Sequence, residues 1–152
     1  MSLPIFWSRT VSLAALAGWV PFATGFVLVL FPGLSPVDPV IFERALLGYG
    51  ALILSFLGGV RWGIRLQGGA GSDLTYIVGI FGSVAGFITL LLPLTIGLII
   101  LIAGFGIHGL WDVWSGIRGR VPPAYARLRL VMTWLVCATL LLILIARFLV
   151  NL

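Results

Sequence analysis

An all-α polytopic membrane protein, folded as a compact bundle of five transmembrane helices, is the fold class that three observations predict. Hydrophobic residues make up 61% of a 152-residue chain, and the mean hydropathy is +1.24. The apolar sequence also falls into stretches of about 20 residues, the length a helix needs to cross a hydrocarbon core of roughly 30 Å. So little polar surface cannot coat a water-soluble globule. Five spans with short connections use up the length, so a single integral membrane domain is expected over residues 1–152.

The first span is expected over residues 11–31. Pro21 lies near its middle, where it removes a hydrogen bond to the Ala17 carbonyl and predicts a kink flanked by Gly18 and Gly25. The apolar run is too long for a signal-peptide core and reads as a retained span. PGLSPVDPV (residues 32–40) carries three prolines and is expected as a surface loop. The second span follows over residues 42–64, with Glu43 in its first turn, where a carboxylate suits the positive end of the helix dipole. LQGGAGSD (residues 66–73) is a turn in which Ser72 or Asp73 is placed to cap the next helix.

From residue 74 to residue 114 the single charged side chain is Asp112. One helix of that length would reach roughly 60 Å, twice the hydrocarbon thickness, so the segment must fold back on itself. Pro93 is the strong breaker near its centre, which sets spans three and four at residues 74–92 and 94–115. GIRGRVPPAYARLR (residues 116–129) reads as an arginine-rich connection, and the fifth span is expected over residues 130–150.

The formal net charge of +5 comes from nine basic residues, all arginine. In a five-span topology Arg9, Arg61, Arg65, Arg118, Arg120, Arg127 and Arg129 share one side, and Arg44 and Arg147 the other. That bias predicts a cytoplasmic N-terminus and an external C-terminus. Arg118, Arg120, Arg127 and Arg129 are expected to contact anionic headgroups, which makes membrane lipid a partner. Arginines scattered at helix ends, without a stripe of interleaved aromatics, point away from nucleic acid. The single cysteine, Cys137, lies mid-span and is expected to pack as a small hydrophobe.

His108 and Asp112 are four residues apart and share a helix face. A carboxylate in hydrocarbon costs roughly 2.5–3.5 kcal/mol at mid-span, so Asp112 is expected to find a partner: Arg61 or Arg65 first, then His108 and Arg118. Trp62, Trp111 and Trp114 gather at the same level, joined by Trp7, as an interfacial belt or as the walls of a pocket. The candidate set for lipid or ligand binding, or for an ion pair between helices, is therefore Arg61, Trp62, Arg65, His108, Trp111 and Asp112. Gly59/Gly63 and Gly82/Gly86 are small-xxx-small pairs, and together with Gly58 they are expected to let helices approach closely.

His108, Asp112 and Ser115 have the composition of a catalytic triad. They lie within two turns of one helix, with no sign of an oxyanion hole, so no catalytic residue is assigned. One histidine, one cysteine and four acidic residues offer no metal-site spacing. No metal or other cofactor is expected, and bound lipid is the one non-protein component foreseen.

RALLGYGALILSFLGGVRWG (residues 44–63), together with WVPF (residues 19–22) and PPAYARLRL (residues 122–130), resembles the family catalogued as domain of unknown function 3429 (DUF3429), which includes the mitochondrial transmembrane protein 69. The resemblance implies a bacterial cytoplasmic (inner) membrane protein, or a mitochondrial inner-membrane protein if the source is eukaryotic, and one compact membrane unit. It implies no activity and no site residues. Size, five spans and six tryptophans also match the architecture of the TspO proteins, which bind porphyrins and sterols, although their motifs do not align here.

Three function classes remain open from sequence. The first is a non-enzymatic structural, accessory or assembly subunit that docks on a larger membrane complex with other membrane subunits. The second is a TspO-like binder of a lipid or tetrapyrrole on the cytoplasmic side. The third is a small transporter or membrane enzyme.

Overall fold

The computed structural model describes residues 9–68 and 72–150. Five helices follow in order: α1 (Arg9–Leu30), α2 (Pro39–Leu66), α3 (Leu74–Leu90), α4 (Leu94–Ile117) and α5 (Pro123–Val150). Among the described residues there is no strand. α1, α2, α4 and α5 are long and apolar enough to cross a membrane. α3, with 17 residues, is about 25 Å long and falls short of a full crossing by itself.

Contacts between residues far apart in sequence fix the directions. Gly18 meets Tyr49 while Gly25 meets Leu46, so α1 and α2 run antiparallel. Gly58 meets Gly79 and Gly86 meets Ala51, which reverses α3 against α2. Gly50 meets Leu101 and Gly104 meets Leu54, which sets α4 parallel to α2, and Gly109 against Thr133 with Gly116 against Ala126 reverses α5 against α4. The chain therefore reverses direction four times across its five helices. The C-terminal ends of α2 and α4 and the N-terminal ends of α1, α3 and α5 share one end of the bundle.

The turn between α3 and α4 is a hairpin of three residues, although it has almost no polar side chains of its own. Arg44 on α2 supplies the missing polarity by donating from Nη1 to the Leu90 carbonyl at 2.6 Å, so one helix caps the C-terminal end of another. Pro93 serves as the N-cap of α4. α1 continues through Pro21, and residues 32–34 of the proline-rich loop form one 3₁₀ turn.

Two helix starts lie three residues or more from the sequence expectation. α2 begins at Pro39 with Asp38 as its N-cap, whose carboxylate accepts from the Val40 N–H at 2.8 Å. Glu43 is therefore in the second turn and pairs with Arg147 of α5 instead of capping α2. α5 begins at Pro123, two turns before the apolar run starts. A proline at the first helical position is pre-organised for helix, and its arginines do not end the helix because they reach either a buried partner or the surface. At the start of α3, Asp73 is the N-cap position but makes no side-chain cap bond.

The core is a column of Phe22, Leu47, Leu54, Leu98, Leu101, Leu140 and Ile143, each fully buried. Edge-to-face contacts of Phe22 with Tyr49 at 5.2 Å and Phe105 at 5.9 Å tie α1, α2 and α4 together. Glycines thin the α2–α3 seam. A Cβ on Gly82 would lie 3.0 Å from the Leu54 carbonyl, and one on Gly86 would lie 3.1 Å from the Ala51 Cα. Gly59 and Gly63 depart from expectation, because nothing lies within 4 Å of a Cβ at either position. The buried face of α2 runs through Leu47, Leu54, Gly58 and Arg61, and a step of 100° per residue turns Gly59 and Gly63 away from it.

Candidate functional site

The buried charges gather at the end of the bundle shared by the α2 and α4 C-termini. Arg61 and Asp112 are each five residues from the last residue of their helix, about 8 Å in from the helix ends. Asp112 Oδ1 lies 3.1 Å from Arg61 Nη2, and its Oδ2 accepts from Arg129 Nε at 2.6 Å. The Tyr125 hydroxyl, also buried, bonds to the same carboxylate. Arg61 further donates from Nη2 to the His108 carbonyl, and its guanidinium lies 5.8 Å from the centre of the Trp111 ring. Arg61 and Asp112 are each only 3% exposed, so one carboxylate holds together three helices.

This arrangement corrects the reading of Arg129 as a headgroup contact. Arg129 is buried and bound to Asp112, because α5 is already helical there and faces α4. The signal is present in the sequence: Tyr125, Arg129, Thr133 and Cys137 recur every four residues, which places the polar groups of an apolar helix on one face. All four meet α4, with Thr133 against Gly109 and Cys137 Sγ donating to the Ile102 carbonyl at 3.7 Å.

The cluster has two guanidinium groups and one carboxylate, so one positive charge is in excess. Arg61 Nε and Nη1 and Arg129 Nη2 are buried and have no hydrogen-bond partner among the described residues. A cleft of about 30 Å³ opens beside Arg61 and Asp112, lined also by Arg65, Thr75, Trp111, Ser115 and Arg120 among others. Arg65 is 3.9 Å from the exposed Asp73, so Arg61 and not Arg65 takes Asp112.

Arg120 reaches the cleft because of how α4 ends. Gly119 adopts a left-handed backbone with φ of +67°. The Arg120 N–H then bonds to the Ser115 carbonyl at 2.9 Å, and the Gly119 N–H to the Gly116 carbonyl at 3.0 Å, which is a Schellman closure. Folding the chain back in this way sets the Arg118 and Arg120 guanidiniums 4.9 and 4.8 Å from the Trp114 ring. Arg118 and Arg127 are exposed at this end of the bundle.

The remaining candidates separate from the cluster. Trp62 turns to α3, donating to the Tyr76 carbonyl at 3.1 Å and meeting the Tyr76 ring edge-on. Trp111 pairs with Trp114 at 5.3 Å, and Trp7 lies outside the described residues. The His108 imidazole is buried against α3, where a Cβ on Gly82 would come within 2.9 Å of Nε2. His108 therefore offers Arg61 its carbonyl and packs with its ring. Among the described residues no group of three potential ligands could hold a metal ion.

A family model described as protein of unknown function (DUF3429) matches residues 7–145. The chain belongs to the DUF3429 family. No curated protein and no solved structure matches it. Within this DUF3429 chain the match takes in the whole Arg61, Asp112, Tyr125 and Arg129 cluster.

Chemically, the carboxylate is engaged by two guanidiniums and a phenol, which leaves it poorly available as a general base. The guanidinium edges that remain are hydrogen-bond donors carrying positive charge. That is the equipment for holding an anion.

Proposed function

We propose that this DUF3429 protein is a non-enzymatic multi-pass membrane protein that binds an anionic lipid group at the arginine-lined cleft. The observation that carries this reading is the excess positive charge of the Arg61–Asp112–Arg129 cluster, buried at about headgroup depth and opening on further arginines. A neutral pair would satisfy Asp112; the second arginine is what an anion would complete. A carrier needs a polar route through the bundle, whereas here the column of Leu98, Leu101, Leu140 and Ile143 fills the core beyond the cluster.

The test is thermal stability in zwitterionic bicelles with and without anionic lipid. The wild-type chain is expected to gain stability, by about 2.7 kcal/mol at a ligand concentration one hundred times the dissociation constant. Arg61→Met leaves Asp112 with Arg129 as a neutral pair, so the variant is expected to fold and to lose the gain. An unchanged gain in Arg61→Met would rule the cleft out as the site.

The arginine-rich end is assigned to the cytoplasm, with the N-terminus inside and the C-terminus outside, on the positive-inside bias. In a Cys137→Ser background an impermeant thiol reagent added to intact cells is expected to label Ser35→Cys and to spare Arg118→Cys. The reverse pattern would overturn the orientation. The inner membrane, bacterial or mitochondrial, is the proposed location. A role as accessory subunit of a larger complex is the second reading, favoured by the uncovered Gly59 and Gly63 on α2, which offer another helix a close approach.

A further inference from the structure

We infer that the cleft prefers a terminal phosphate monoester to a phosphodiester, an inference that rests on the anion-binding reading above and narrows its ligand. Size comes first. A cleft of about 30 Å³ takes one small group at its floor, such as the oxygens of a tetrahedral anion, and leaves the rest of a ligand outside. A diester buries two of its four oxygens in ester links and presents two with a single charge. A monoester presents three terminal oxygens and is mostly a dianion at neutral pH, its second pKa being about 6.

Charge and donors favour the monoester. Arg61, Arg65 and Arg120 line the cleft, and Arg129 stands behind it on Asp112. Four guanidiniums against the Asp112 carboxylate leave three positive charges in excess, or two when the exposed Asp73 beside Arg65 is counted. One diester charge leaves that excess largely unmatched. Donors also converge from several elements: Arg61 and Arg65 from the end of α2, Thr75 from the start of α3, Ser115 from α4, and Arg120 from the turn made by Gly119. Arg61 lines the cleft although it is 97% buried, so its charge acts there with little screening by water. This supply exceeds what two oxygens accept and suits three.

The monoester can belong to a lipid or to a soluble molecule, and the experiment separates the two. The full chain is reconstituted in phosphatidylcholine nanodiscs containing phosphatidate or phosphatidylglycerol at matched surface charge, and bound lipid is read by native mass spectrometry. Phosphatidate is expected to bind about tenfold tighter than phosphatidylglycerol, the weight of one additional charge-assisted hydrogen bond. The preference is expected to vanish in Arg61→Met and to persist in Arg127→Gln, which alters an exposed arginine that does not line the cleft. Glycerol phosphate and inorganic phosphate form a second arm. Competition by either at millimolar concentration supports a soluble monoester, and its absence alongside phosphatidate binding supports the lipid. Equal binding of phosphatidate and phosphatidylglycerol, or a preference that survives in Arg61→Met, overturns the inference while leaving an anion site standing. No response to any anion overturns the anion-binding reading itself.

Discussion

Asp112→Asn is expected to destabilise the bundle by about 3–5 kcal/mol, the typical penalty for removing one partner of a buried ion pair. The substitution conserves shape but takes away the one negative charge that Arg61 and Arg129 share, both of which are nearly inaccessible to water. Two guanidiniums left close together without a counter-charge must move apart or draw in water, and α2, α4 and α5 lose their common anchor. Unfolding by steric trapping or by heat in bicelles would measure the change. A shift below about 1 kcal/mol, the range of exposed pairs, would mean that the cluster is solvated and that its geometry is not maintained.

A companion variant tells what the charges are for. Replacing all three together, Arg61→Met, Asp112→Leu and Arg129→Met, removes the charges and their desolvation at once. Such apolar replacements are often neutral or stabilising by about 1–4 kcal/mol. Recovery of stability in the triple variant, with loss of the anion response, is expected if the cluster is kept for binding. Failure to recover would instead assign the cluster to folding, with Asp112 as the pin that sets three helices in register.

The helix layout is legible in the sequence because it depends on quantities the sequence states directly. Run length against bilayer thickness separates α3 from α4, and Pro93 marks where. The start of α5 and the role of Arg129 are not legible from hydropathy, which treats each arginine as the end of a span. A guanidinium that meets a carboxylate on a neighbouring helix can remain buried, and hydropathy has no knowledge of the neighbour. The four-residue spacing of Tyr125, Arg129, Thr133 and Cys137 carries that information, since it shows a polar stripe in need of a partner helix. Arg44 teaches the same lesson at the opposite end, where it closes the α3 helix from α2. Pairing Arg61 with Asp112 follows from topology, because alternation brings the ends of α2 and α4 together. The second arginine requires the packing of α5.

Small-xxx-small spacing is a weaker guide than helix phase, and adjacent glycines on α2 expose the difference. Gly58→Ala is expected to destabilise by about 1–3 kcal/mol, the cost of overpacking a close contact, because its new methyl would run into the Gly79 carbonyl oxygen, with the carbonyl carbon at 3.0 Å and the α-carbon at 3.3 Å. Those are backbone atoms of α3, so no rotamer change can yield and the helices must separate. Gly59→Ala places the same methyl in open space and removes a helix-interior glycine, which is expected to raise stability by about 0.5–1 kcal/mol. The two variants are isomers one residue apart, equal in hydrophobicity and helix propensity, so unfolding measured side by side in one bicelle composition isolates the seam. Opposite signs are the expected result. Equal destabilisation would place a partner surface on the Gly59 face, and equal stabilisation would mean that α2 and α3 do not meet through Gly58 and Gly79.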